Sequence, residues 1–136
     1  MAGEIEVFKA LSDNTRLRVL NLFLAANDAL CVCEIVDALK LPQYNISKQL
    51  TVLKQAGIVE VEKKGLWGYY RLKGDQSANQ ALFAFLKNYL DDETFRNDKR
   101  NLEARLLLRE EGKCVVGLIP AQEPLERIKE KSNALA

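Results

Sequence analysis

Two thiols separated by one residue, Cys31-Val32-Cys33, are the part of this sequence best suited to chemistry, and Cys114 supplies a third. Thiolates are soft ligands that select thiophilic ions over magnesium or calcium, and the chain has no histidine to add a nitrogen donor. The same absence removes the usual general base, so neither a Ser-His-Asp nor a Cys-His catalytic site can be built. A small thiol reductase would need a C-x-x-C pair near a βαβ unit, or a base to activate its nucleophile, and neither is found. These residues therefore point to a binding protein and not to an enzyme. Cys114, inside Val115-Val116-Gly117-Leu118-Ile119, also fits a small core residue.

The 136 residues are 48% apolar and 29% charged, which suits one compact fold with a modest core. No basic start leads into an apolar run and a small-residue cleavage site, and no apolar run approaches the roughly 20 residues of a membrane span. A cytoplasmic protein with no membrane partner is expected. An odd number of cysteines there fits metal or redox thiols better than a disulfide framework. The net charge of +1 conceals an asymmetry: residues 40–73 carry Lys40, Lys48, Lys54, Lys63, Lys64, Arg71 and Lys73 against only Glu60 and Glu62. Such a local basic surplus is the electrostatic footprint of a nucleic-acid binder.

Several elements must position these groups. Ile5, Phe8 and Leu11 recur at helical spacing, and Ser12-Asp13 offers a cap before Leu17, Leu20 and Phe23 resume the period. Asn27-Asp28 breaks the pattern. A third helix is expected over Cys31 to Leu39, with Ile35, Val36 and Leu39 on one side, then a Lys40-Leu41-Pro42 turn. From Gln43 to Ala56 a fourth helix buries Ile46, Leu50 and Leu53, and Gly57 suits its C′ position. Period-two alternation then predicts a β-hairpin over Ile58–Glu62 and Trp67–Leu72, with Lys63-Lys64-Gly65 at its tip and Trp67 in hairpin packing. Ala78, Leu82, Phe85, Leu86 and Tyr89 form an amphipathic helix. Asp91-Asp92-Glu93 opens a charged helical segment in which Leu102, Arg105 and Leu106 share a side. Residues 114–120 are expected to be extended, and the tail after Pro124 polar and helical.

Helix, turn, helix and two-stranded hairpin is the order of a winged helix-turn-helix, mainly α with a small β-hairpin, whose second helix enters the major groove. Gln43, Tyr44, Ser47, Lys48 and Thr51, with Asn45 and Gln49 at the margins, supply hydroxyls, amides and a cation for base edges. Lys63, Lys64 and Arg71 would neutralise phosphates of double-stranded DNA and fix register without reading sequence. Spacing also suggests a signal route. Residues two apart on a helix point about 200° from each other, so Cys31 and Cys33 could share an ion only if the first helical turn were pulled open.

The blocks Phe8-Lys9-Ala10-Leu11-Ser12-Asp13-Asn14-Thr15-Arg16-Leu17-Arg18-Val19-Leu20, Leu30-Cys31-Val32-Cys33-Glu34-Ile35, Ile46-Ser47-Lys48-Gln49-Leu50 and Leu53-Lys54-Gln55-Ala56-Gly57-Ile58-Val59 resemble the arsenic-repressor (ArsR/SmtB) family, over roughly residues 4–90. The resemblance implies a homodimeric repressor on a palindromic operator, released by its inducer, with a dimer interface mapping to Ile5, Phe8, Leu82, Phe85 and Tyr89. Cys31 and Cys33 match the family's motif for trivalent arsenic and antimony, As(III) or Sb(III). Members often place a third cysteine where this chain has Asp37, which leaves Cys114, of the same subunit or its dimer mate, as the other candidate. Two thiols alone would suit methylated trivalent arsenic. Many members have His where this chain has Gln49, which implies a changed base preference. Residues 1–90 are thus expected to form the DNA-binding and dimerisation domain and 91–136 a C-terminal helical extension and tail. A thiol redox switch, or a cadmium or lead sensor on the same fold, is the alternative.

Overall fold

The computed structural model describes residues 2–65 and 67–117, so the expected tail after Pro124 and the last part of the expected extended stretch lie outside the described residues. The chain runs α1 (Ala2–Leu11), α2 (Asn14–Ala26), β1 (Leu30–Cys31), α3 (Val32–Leu39), α4 (Gln43–Gln55), β2 (Val59–Lys64), β3 (Trp67–Leu72), α5 (Ser77–Tyr89) and α6 (Glu93–Leu106). This is a winged helix-turn-helix. Among the described residues no helix is long and apolar enough to cross a membrane.

Local chemistry sets the boundaries. The Asp13 side chain accepts the Arg16 amide at 3.0 Å and caps α2, and Asn27, in the left-handed region, closes it. Lys40 ends α3 in the same left-handed conformation, and Pro42 starts α4. At the far end of α4, Gly57 (φ 76°) donates to the Lys54 carbonyl and Ile58 to that of Leu53, the paired bonds of a Schellman motif. A side chain at Gly57 would strain that conformation, which glycine adopts freely.

Ile46, Leu50 and Leu53 of α4 are fully buried against Leu20, Phe23, Ile35 and Leu39, which fixes α4 across α2 and α3 with its polar face outward. The sheet has three strands in the order β1-β3-β2, not the two of the expected hairpin. Leu30 pairs with Tyr70 and Cys31 with Tyr69. Two residues are too few to show a period-two pattern, so β1 had no sequence signal.

Helix α6 packs against α2 and α3, and Leu102 lies in the same core as Leu20 and Leu50. Polar ties reinforce the contact. Arg18 grips Asp98 through Nε (2.8 Å) and Nη2 (3.0 Å), Asn21 donates to the Phe95 carbonyl, and Asn101 to that of Ala38. Truncating a buried leucine costs about 2–5 kcal/mol. Leu102→Ala should therefore lower urea-unfolding stability by that amount within a single transition; a separate early transition for α6 would show that it folds apart from the winged helix.

Candidate functional site

The three cysteines come from three elements and meet in one place. Cys31 ends β1 and stands at the N-cap of α3 with extended backbone (φ −86°, ψ 161°), Cys33 lies in the first turn of α3, and Cys114 follows α6. The Sγ atoms of Cys31 and Cys33 are 2.8 Å apart, those of Cys33 and Cys114 are 3.3 Å apart, and all three lie within 4.8 Å of one another. All three residues are buried, with Tyr69, Trp67 and Ala29 packed around them.

This corrects the expectation that both sulfurs sit on one helix. Helix α3 begins at Val32, and Cys31, extended just ahead of it, turns its sulfur toward that of Cys33 without any helical turn being opened. The reason is Glu34. Its buried carboxylate accepts the Cys31 amide at 3.1 Å, as the third residue of a capping box does, so Cys31 takes the cap position.

Buried acids near the sulfurs are already engaged. Arg109 holds Glu34 in a fork, Nε to Oε2 and Nη2 to Oε1, both 2.7 Å, and Arg105 Nε meets Asp37 at 2.7 Å. The donors left for an ion are therefore sulfur. Sulfurs bound tetrahedrally to one ion at about 2.3 Å, the zinc–sulfur length, lie about 3.8 Å apart, so a single thiophilic ion would be held once the 2.8 Å and 3.3 Å pairs open by roughly half to one ångström. Cys114, accepting hydrogen bonds from the thiols of Cys31 and then Cys33 and facing the charge of Arg105, has its pKa lowered to about 3. Cys33 is pushed up to about 12, first by its hydrogen bond to Cys114, and Cys31 is also raised, by hydrogen bonds with Cys114 and Cys33 and by burial.

The wing reaches the cluster directly: Cys114 donates its amide to the Tyr69 hydroxyl at 3.0 Å. A cleft of about 600 Å³ lined by Cys31, Cys33, Gln43, Lys63, Trp67 and Tyr70 runs from the thiols to the start of α4 and the wing.

The residues expected to meet DNA divide into two groups. Tyr44 is 78% exposed, and Gln43, Lys48, Thr51, Lys63 and Lys64 are exposed as well. Ser47 is half-buried, and its carbonyl accepts the Thr51 hydroxyl at 3.0 Å. Others are already held within the protein. Gln49 accepts Arg16 Nη1 at 2.6 Å and donates to Asn45 at 3.0 Å, and Arg71 is paired with Glu60 (2.8 Å) and Glu62 (3.3 Å). Ile5, Phe8, Phe85 and Tyr89 are exposed apolar side chains, Phe85 and Tyr89 stacking with centroids 5.0 Å apart, while Leu82 is half-buried. Tyr69, Asp37 and Arg109 were missed in the sequence as parts of the site. The alternating wing pattern marks Tyr69 as inward-facing, but nothing local marks the two acids of α3 or Arg109 as buried.

Comparison with known proteins adds the following. The family model described as bacterial regulatory protein, arsR family, matches residues 13–61. An HTH-type transcriptional regulator of Methanocaldococcus jannaschii is 51% identical over 71 residues, 52% of this chain and 79% of that protein. The arsenic resistance transcriptional regulator ArsR1 of Pseudomonas putida is 45% identical over 62% of this chain and 64% of its own length. The arsenical resistance operon repressor of Escherichia coli is 41% identical over 50% and 57%. The chain thus spans less than two thirds of the two arsenic regulators. Among solved structures, HlyU from Vibrio cholerae superposes with a TM-score of 0.58 at 26% identity, over 65% of this chain and 92% of that one.

The bond to the tyrosine is testable. A buried N–H that loses its acceptor costs about 1–3 kcal/mol, so Tyr69→Phe should lose that much stability in urea unfolding followed by the fluorescence of Trp67, the single tryptophan; an unchanged midpoint would mean that the Cys114 amide does not depend on the hydroxyl.

Proposed function

This chain belongs to the arsR family of bacterial regulatory proteins, and we propose that it is a homodimeric transcriptional repressor released from its operator when trivalent arsenic or antimony binds Cys31, Cys33 and Cys114. The observation that carries the proposal is the convergence of three buried sulfurs within 4.8 Å between the first helix of the helix-turn-helix and the wing. Relatives named as arsenic and arsenical resistance regulators support the choice of inducer.

The chemistry balances without redox. Arsenite meets the cluster as arsenous acid; three S–As bonds form and three As–O bonds break, two hydroxyls leaving as water with the protons of the Cys31 and Cys33 thiols and the third with a proton taken from solvent, since Cys114 brings none. Because the sulfurs belong to β1, α3 and the segment after α6, drawing them onto one atom pulls three elements together. One of these, α3, packs on α4, and Tyr69 ties the same cluster to the wing. An inducer shifts the equilibrium only by its different affinity for the two states, so a tenfold release of DNA requires about 1.4 kcal/mol of coupling.

On the DNA side, α4 presents Tyr44, Ser47, Lys48 and Thr51 to base edges, and Lys63 and Lys64 meet phosphates. A dimer formed through Ile5, Phe8, Phe85 and Tyr89 would cover apolar surface otherwise left to water and set two reading helices one turn of DNA, about 34 Å, apart.

Fluorescence anisotropy of the reduced protein on DNA from upstream of its own gene should show release by arsenite. Release should fail in Cys31→Ser and Cys33→Ser and need at least tenfold more arsenite in Cys114→Ser; binding indifferent to arsenite would refute the inducer. Lys63→Ala with Lys64→Ala should flatten the plot of log affinity against log salt by about 0.9 for each phosphate no longer neutralised. Phe85→Glu should shift the protein toward monomer in sedimentation; an unchanged mass would move the interface elsewhere.

A further inference from the structure

Asp37 stands four residues after Cys33 on α3, a spacing that puts both side chains on one face of the helix. Its carboxylate is taken by Arg105 Nε at 2.7 Å, and the two side chains are 3% and 1% exposed. The rest of that guanidinium points along the chain that follows Cys114. Nη2 donates to the carbonyls of Val116 (2.7 Å) and Gly117 (3.2 Å), while Nη1 is buried with no hydrogen-bond partner among the described residues. The charge of Arg105 acts on both Cys33 and Cys114.

A buried ion pair is a poor way to add stability, since apolar side chains of the same volume do as well or better. Leaving the two N–H groups of Nη1 without a partner among the described residues makes this pair costlier still. What the pair supplies is geometry: a planar fork whose donors have fixed directions. It joins the helix that carries Cys33, the helix that carries Arg105 and the segment that carries Cys114.

We propose that Asp37 and Arg105 are positioning residues of the thiol site: Asp37 orients the guanidinium, the guanidinium holds the carbonyls of residues 116 and 117, and Cys114 is thereby held 3.3 Å from Cys33 as the third sulfur. This rests on the reading of the three cysteines as one ligand site.

The test uses the full chain in a Cys31→Ser background, where Cys33 and Cys114 are the thiols left. Diamide oxidises that pair to a disulfide and is itself reduced to the hydrazine, and the rate is followed by peptide mass spectrometry. Arg105→Met and Asp37→Asn should each slow closure at least tenfold with the far-ultraviolet circular dichroism unchanged. The double variant should be no slower than either single one, because the two residues act as a unit. Arg105→Lys, which keeps the charge but cannot serve the carboxylate and two carbonyls at once, should fall between; if Arg105→Met fails to fold, Asp37→Asn and Arg105→Lys carry the comparison. Closure within twofold of the parent in the folded variants would overturn the proposal. A second arm counts thiols protected from alkylation by arsenite: three in the natural sequence and two with Arg105→Met. No protection in the natural sequence would refute the metalloid reading, while the diamide rates would still decide the positioning role.

Discussion

Two arginines of the C-terminal chain, Arg105 buried and Arg109 partly so, each paired with a buried carboxylate of α3, are the constraint on which the rest of this structure depends. Arg105 with Asp37 and Arg109 with Glu34 fix where the end of α6 lies, because a guanidinium taken out of water without its partner is strongly destabilising. Once those pairs are formed, the chain after α6 has little choice of path. Arg109 also donates to the Ala29 carbonyl, and with Asp28 it clamps the approach to β1. Glu34, held by Arg109, in turn accepts the Cys31 amide. The thiol cluster is thus the end product of a polar network more than of apolar packing, and its sulfurs sit where charged side chains direct the backbone.

The same network explains what could be read from the sequence. Helical periodicity, the Asp13 and Gly57 caps and the alternation of the wing each leave a local trace, so the winged helix-turn-helix and the polar outer face of α4 were legible. So was the pairing of Cys31 with Cys33 as a chemical unit. Cys114 stood in the sequence as a candidate third thiol or a small core residue, and its place beside the pair left no local trace, because it depends on Arg105 at the end of α6 and Tyr69 of the wing. Arg105 shares a side with Leu102 and Leu106 in the sequence, but nothing there names its partner, and Arg109 looks like any arginine of a charged segment. Burial of a charge is decided by its partner, and the partners, Asp37 and Glu34, lie about seventy residues away.

Charge counting also needed the structure. The basic surplus of residues 40–73 is real, but the two acids in that stretch are not spread over the surface; both lie beside Arg71 and neutralise it locally. The wing's free positive charge is therefore concentrated at Lys63 and Lys64, next to the tip. On α4 the side chain of Gln49 is turned to Arg16, whose Nε also caps the Ala10 carbonyl, so this amide helps hold α1, α2 and α4 together. The exposed polar surface of α4 is accordingly narrower than the polar face of the helix suggests, and it centres on Tyr44, Lys48 and Thr51.

These separate regions meet in α3. At eight residues it is too short to persist as an isolated helix in water, so its placement is set by what packs on it. One side carries Ile35 and Leu39 into the core that seats α4; another presents Glu34 and Asp37 to α6; its N-terminus carries the sulfurs. Packed interiors do not deform smoothly, and a shift at one face of such a helix must be taken up at the others. Any rearrangement of Cys31, Cys33 and Cys114 therefore acts on the element that seats α4, over a path only one helix wide.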